Sequence, residues 1–265
     1  MKNTIKTFAL FLTAGAMLAS CDSYLDRQPD EPLTSDNIFK KQKTTLQYLT
    51  NIYSYQPDYE APACVSSNDD IPWEACSDET SFAYLDRSYT QINYNSWNPS
   101  MYLYRNDTYN TPYKGIREAN YFMQHVHECP ELTDTDKGYY YNEARFLRAH
   151  FYAMMLPVYG PVFLIGDDPV DFTQSGLDQR ERNTWDECVN YVANELWEAA
   201  KGLPDSWPDI YYGRATKGAA LAARARLLLY SARKLFNGNE LYKGIVNRNG
   251  DHLFPTQYDE KKWEL

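Results

Sequence analysis

Apolar residues recur at helical spacing in segment after segment of this chain, always on one face, and no segment could bury that face alone. This feature constrains the fold most. Ile38, Phe39, Leu46, Leu49, Ile52 and Tyr53 predict a first helix from about Asp36 to Tyr55. A second is expected from Thr111-Pro112, read as a cap with proline at the first helical position, carrying Ile116, Ala119, Met123 and Val126 and stopping before Pro130. The third spans about Asp134 to Val158, with Ala144, Leu147, Phe151 and Met154 in one stripe and Gly160-Pro161 as its stop. The fourth opens at Thr184-Trp185-Asp186-Glu187, a capping-box pattern, buries Val189, Val192, Leu196 and Ala199, and closes at Gly202 and Pro204. The fifth runs from about Thr216 to Phe236, with Leu221, Ala225, Leu228, Ala232 and Leu235 inward. Helices two to five group as two antiparallel pairs. Stacked pairs sharing one continuous core are the logic of helical repeats, so the reading is all-α and tetratricopeptide-like.

One stretch breaks this rhythm. Pro57 to Asn110 has no sustained period, yet it holds Trp73, Phe82, Tyr84, Tyr89, Tyr94, Trp97, Tyr102, Tyr104 and Tyr109 among Asn, Asp and Ser. An irregular segment of this length is usually functional or disordered, and so many aromatics argue against disorder. The scaffold is therefore expected to carry a long, irregular, aromatic-rich insertion. Fifteen per cent of the chain is aromatic, with 24 tyrosines, and this is where composition departs most from the ordinary.

The N-terminus places the domain. Lys2 and Lys6 precede an apolar run from Phe8 to Ala19, too short to span a bilayer and arranged as a secretory leader. The run ends at Leu18-Ala19-Ser20-Cys21, which resembles a bacterial lipobox. Residues 1–20 are then a lipoprotein signal peptide. Cys21 is the acylated residue, and lasting anchorage takes more than one acyl chain. Residues 22–34, "DSYLDRQPDEPLT", hold two prolines and four acids and read as a tether, leaving 35–265 as the folded domain. The leader contains two lysines and no acid, so its removal takes the formal charge from −10 to −12. That acidity argues against nucleic acid, whose binding rests on neutralising phosphates. Cys64, Cys76, Cys129 and Cys188 match no zinc spacing, and whether Cys64 and Cys76 pair stays open.

Five stretches, in order, resemble one family: "SYLDRQPDEPLTSDNIF" after the lipobox, "YKGIREAN" from Tyr113, "NEARFLRAHFYAMMLPVYGPVFL" from Asn142, "RNTWDECVNYVANELWEAAKGLP" and "YGRATKGAALAARARLLLYSA" from Tyr212. Together they are similar to the SusD/RagB family of nutrient-uptake lipoproteins of Bacteroidetes. The resemblance implies a non-catalytic protein on the outer face of the outer membrane, partnered with a SusC-like TonB-dependent transporter, to which it delivers oligosaccharides. It also implies a tetratricopeptide-like scaffold with a more irregular ligand-binding region, and no cofactor. The chain departs from the family at Pro161-Val162-Phe163-Leu164, where the family has an apolar residue, then proline and leucine. It stops at "YDEKKWEL", where a further helix is expected at Asp259 with Trp263 and Leu265 as its first buried positions. A helix of under two turns cannot stand alone, so the chain resembles the N-terminal half of the family.

A sugar ring has an apolar C–H face and a hydroxyl rim, so its site needs exposed aromatic faces beside planar polar groups. "RSYTQINYNSWNPS", Arg87 to Ser100, offers both. The resemblance points to Trp97 and Asn98 as the stacking and hydrogen-bonding residues, with Tyr94 and Arg87 in support. Trp73 with Asp70 is a second candidate. The alternative for each ring is packing beneath a long loop. Trp185 and Trp197, on a repeat helix, are read as packing. His125 and His127 are two apart on a helix and point apart, which disfavours a metal. Asp167, Asp168 and Asp171 lack the calcium-loop pattern. Two rival readings remain: a surface glycoside hydrolase, since 36 acids leave a carboxylate pair open by counting, and a scaffold that binds only protein.

Overall fold

The computed structural model describes residues 35–56, 77 and 78, 88–98, 109–167 and 180–264. Seven α-helices occur among them: α1 (Ser35–Ile38), α2 (Gln42–Tyr53), α3 (Ser88–Asn93), α4 (Asn110–His125), α5 (Asp134–Tyr159), α6 (Trp185–Gly202) and α7 (Lys217–Ala232). The only β pairing among the described residues is an isolated bridge between Val246 and His252. α5 packs against α4 on one side and α6 on the other, and α6 packs in turn against α7; α2 lies against α4 and α5. The stack is the expected all-α, tetratricopeptide-like arrangement. Its core is built from Ile116, Phe122, Leu147, Phe151, Leu196 and Trp185, all fully buried. Among the described residues no helix is long and apolar enough to cross a membrane.

The caps explain where the helices begin. Thr133 accepts from the Asp136 amide at the start of α5. Thr184 and Glu187 form the reciprocal capping box on α6, and Thr216 accepts from the Ala219 amide on α7. Each side chain satisfies an amide that has no partner within its helix. At Gly115 of α4 a β-carbon would lie 2.5 Å from the Phe151 ring, so only glycine allows α4 and α5 to approach so closely. α5 ends at Gly160, whose φ of 66° suits glycine and turns the chain sharply away.

Several boundaries differ from the sequence reading. The first helix is broken at Lys41, which is extended. The Thr44 hydroxyl donates to the Ile38 carbonyl at 2.6 Å and the Thr45 hydroxyl to the Lys41 carbonyl at 2.9 Å, competing with helical bonding there. α4 starts before Thr111, with Tyr109 at its cap and no side-chain capping bond. On α7 the buried residues are Ala220, Leu227, Ser231 and Ala232, whereas Ala225 and Leu235 are exposed. Apolar residues run nearly all round this helix, so periodicity did not select its inward face. The helix also ends at Arg233, which is extended, and Leu235 lies beyond it. The segment Glu260–Trp263 is a 3₁₀ turn, and Trp263 is exposed there rather than buried, its indole N–H donating to the Tyr258 hydroxyl at 2.8 Å.

The polar core is ionic and is centred on α5. Arg148 is buried and donates to the Asn120 carbonyl oxygen of α4 at 2.7 Å, to Asp167 at 2.7 Å and to Glu195 of α6. Arg145 donates to both oxygens of Glu195, at 3.1 and 2.7 Å. Burial pushes the Glu195 carboxyl up, but the Arg145 hydrogen bonds and the Arg148 charge outweigh it and hold the group below its ordinary range. Glu143, fully buried one turn earlier, accepts both from Arg214, which precedes α7, and from the Tyr53 hydroxyl of α2. Arg214 itself also lies against the rings of Trp207, 4.1 Å from its centroid, and Tyr140, at 4.8 Å. Removing one member of such a cluster strands the other charge in the interior. Arg148→Leu should therefore lower unfolding free energy by roughly 3–5 kcal/mol, measurable by urea denaturation.

His150, also on α5, stacks on Phe146 at 5.6 Å and has a buried Nδ1 without a partner. Burial, and then the charge of Arg226, pushes its pKa below the ordinary 6.5. The folded state thus favours the neutral ring. This contribution to stability is complete above pH 6.5 and declines as pH falls from there toward the depressed folded value. Urea midpoints for His150→Phe should lose that part of the acid-side slope relative to the parent chain.

Candidate functional site

The turn after α3 displays the aromatic residues singled out above. Asn95 adopts φ 56°, a left-handed conformation that asparagine tolerates better than most residues. Its amide donates to the Ile92 carbonyl at 3.0 Å. The Ser96 and Trp97 amides both donate to the Gln91 carbonyl, at 2.9 and 3.2 Å, and the Ser96 hydroxyl adds a third donor at 3.1 Å. One carbonyl therefore gathers three donors and closes the turn. Asn93 extends the anchorage by donating from Nδ2 to the Ser77 carbonyl at 3.3 Å.

This geometry puts Tyr94 and Trp97 on the surface, 62% and 38% exposed, with Asn98 exposed directly after them. The structure brings these three together on one short turn. Arg87, Trp73, Asp70 and Cys21 lie outside the described residues, as do Cys64 and Cys76. The short helix α3 itself was missed by sequence reading, because six residues give too little periodicity to detect.

The two repeat-helix tryptophans part company. Trp185 is buried, stacked on Phe236 at 4.2 Å, with its N–H donating to Ser231 at 3.0 Å. Trp197, expected to pack inside, is 46% exposed; Lys201 and Arg224 lie over its ring, each 5.6 Å from the centroid. Cations rather than core carbons cover it. His125 meets Tyr121 in a tilted contact at 4.4 Å and pairs with Glu128, while His127 stacks on Tyr141, so the two rings do diverge. Among the described residues no three metal-ligating side chains converge. Cys129 and Cys188 are buried free thiols. Burial pushes the Cys188 thiol up to about 11.

A second exposed aromatic group, not anticipated as a unit, sits where α4 begins and α5 ends. Tyr109 and Tyr159 meet edge to face there. Sequence spacing could not pair residues fifty apart. A 230 Å³ cavity lies elsewhere, between α6, α7 and the C-terminal turn. It is lined by Asp186, Asn190, Leu228 and Lys262 among others, and no aromatic face opens into it.

The sequence matches the SusD-like family described as starch-binding and associating with the outer membrane, over residues 23–229. Among solved structures, a SusD-like protein from Bacteroides fragilis is 25% identical with a TM-score of 0.64, the match covering 79% of this chain and 39% of that one. Surface glycan-binding protein A from Bacteroides uniformis is 19% identical with a TM-score of 0.59, covering 71% of this chain and 42% of that one. The Bacteroides thetaiotaomicron surface glycan-binding protein A, solved with laminarihexaose, is 16% identical with a TM-score of 0.57, over 72% of this chain and 39% of that one. The chain thus spans about two fifths of the length of these structures. No curated protein matches its sequence.

The turn itself is open to test. A β-branched residue at Asn95 should cost about 1–2 kcal/mol in the left-handed conformation. Asn95→Val is expected to speed amide exchange at Ser96 and Trp97, while Asn95→Gly leaves it unchanged.

Proposed function

The chain belongs to the SusD-like family of starch-binding proteins that associate with the outer membrane, and from that premise we propose that it is a non-catalytic, cell-surface glycan-binding lipoprotein that captures oligosaccharides and passes them to a TonB-dependent transporter. The observation that carries the binding role is the turn at 94–98. Two large aromatic side chains, Tyr94 and Trp97, are partly exposed there on a turn closed by the Gln91 carbonyl. Rings fixed before the ligand arrives lose little conformational freedom on binding, so stacking against a sugar face is favoured. Asn98 beside them supplies both donor and acceptor to neighbouring hydroxyls. Arg87, Trp73 and Asp70 are retained as further candidate contacts.

In this reading Cys21 carries the lipid and residues 22–34 lift the scaffold off the outer leaflet. A SusC-like transporter is the protein partner, and the ligand is an oligosaccharide or polysaccharide. The two buried carboxylates among the described residues, Glu143 and Glu195, serve the scaffold. Both are clasped by arginines in the interior, where they cannot exchange protons with a substrate.

A glycan array identifies the ligand, and calorimetry with that ligand tests the turn. Trp97→Ala should weaken binding by about 1–3 kcal/mol with the fold intact. Equal affinity for the parent and the variant would remove Trp97 from the site.

A further inference from the structure

One arginine of the scaffold has no acid. Arg145, Arg148 and Arg214, the other buried or half-buried arginines among the described residues, each hold a carboxylate. Arg224 of α7 is half-buried too, yet no carboxylate pairs with it, and its Nε is buried without a hydrogen-bond partner. What it meets instead is a ring. Its guanidinium carbon lies 5.6 Å from the centroid of Trp197 on α6. Lys201, one turn further along α6, brings its ammonium to the same ring, also at 5.6 Å. Lys201 is shared with Glu198, in an exposed pair of neighbouring turns that holds only weakly.

This arrangement is unusual for the chain. With 36 acids against 26 basic residues, carboxylates are plentiful. A half-buried guanidinium without one gives up hydration and gains only the attraction of an indole in return. Two cations over one ring also repel each other, and Glu198 offsets only one of them. An anion settling between them relieves both costs. Arginine presents a planar fork that matches a carboxylate, and lysine adds a point charge. The Trp197 ring, 46% exposed, supplies apolar surface beside these charges. Asn194, exposed one turn earlier on the same face, adds an amide donor and an acceptor.

The patch is small. Positive charge does not continue along this face of α6, where the exposed residues before Trp197 are Asn194 and Asn190. Two cations about one ring match the footprint of a single charged sugar, whereas an acidic polypeptide is met by a longer stripe of cations. We propose that Arg224, Lys201 and Trp197 form a subsite for the carboxylate of an acidic sugar, a uronate or a sialate, on the outer surface of α6 and α7. The inference rests on the reading of this chain as a glycan-binding protein and adds to it a place and a charged ligand class. Recognition here is carried by the ion pair, and the ring holds the two cations in position for it.

The test is calorimetry on the full chain at low salt with trigalacturonate and sialyllactose, each compared with its methyl ester, which keeps the sugar and removes the charge. At least one of the two acids should bind, with its ester weaker by about tenfold or more. Arg224→Gln should weaken the acid by at least about tenfold, and Lys201→Gln by at least about threefold, with the esters unaffected. Nuclear magnetic resonance of the parent chain with nitrogen-15-labelled indoles gives a readout that does not depend on how the variants fold. The Trp197 indole signal, assigned by its loss in Trp197→Phe, should shift with the acid and stay still with the ester. Equal binding of acid and ester, or an unmoved Trp197 signal, would overturn the subsite. An equal shift with inorganic sulfate at the same concentration would mean an adventitious ion only and would overturn it as well. Tighter binding of hexaglutamate than of either acidic sugar would overturn the sugar in favour of an acidic protein segment. Binding of neutral oligosaccharides that depends on Trp97, with neither acid bound, would overturn this subsite and leave the glycan reading standing.

Discussion

Arg148 and Glu195 form the contact on which the rest of this architecture leans. Neither side chain could be buried alone, because an unpaired charge in the interior is very costly. Together, with Arg145 sharing the carboxylate and Asn120 and Asp167 both accepting from Nη1 of Arg148, they join α4, α5, α6 and the loop after α5 at one point. Glu143 repeats the device one turn earlier, joining α5 to α2 and to the segment leading into α7. Hydrophobic stripes bring these helices together, but a stripe of alanine and leucine is tolerant of sliding. Directional charge pairs are not, so the ionic centre of α5 sets the register in which the helices meet.

That centre changes what the family resemblance means. The stretch from Glu143 to Ala149 is the most specific piece of the resemblance, and the structure spends its three charged side chains inside the scaffold. Its message is therefore about the fold. The candidate contacts proposed for a glycan lie outside it, on the turn at 94–98. Capture of a glycan by this chain would work through rings fixed on a rigid frame rather than through a moving active site.

Helices α4, α5 and α6 were legible to within a few residues, because capping residues, glycine stops and apolar periodicity agreed there. Legibility failed where a local interaction competed with the period. Thr44 and Thr45 break the first helix through their hydroxyls, and the apolar residues all round α7 hide its inward face. Trp197 was misjudged because periodicity cannot see Lys201 and Arg224 closing over a ring. At the candidate site, Tyr94, Trp97 and Asn98 were legible as a cluster in sequence, and Asn95, which turns them outward, became meaningful only through its backbone angle. The Tyr109–Tyr159 contact was beyond reach. Nothing local in either residue announces the other, and only the antiparallel return of α5 brings them together.

The central claim is that a rigid ionic frame presents fixed aromatic rings to carbohydrate. Hydrogen–deuterium exchange with and without a saturating oligosaccharide tests it most directly. The account predicts that amides of α5 around Arg145 and Arg148 exchange slowest and do not respond to the sugar, while new protection among the described residues centres on 88–98. Fast exchange along α5, or sugar-induced protection spread through the helix stack, would contradict it.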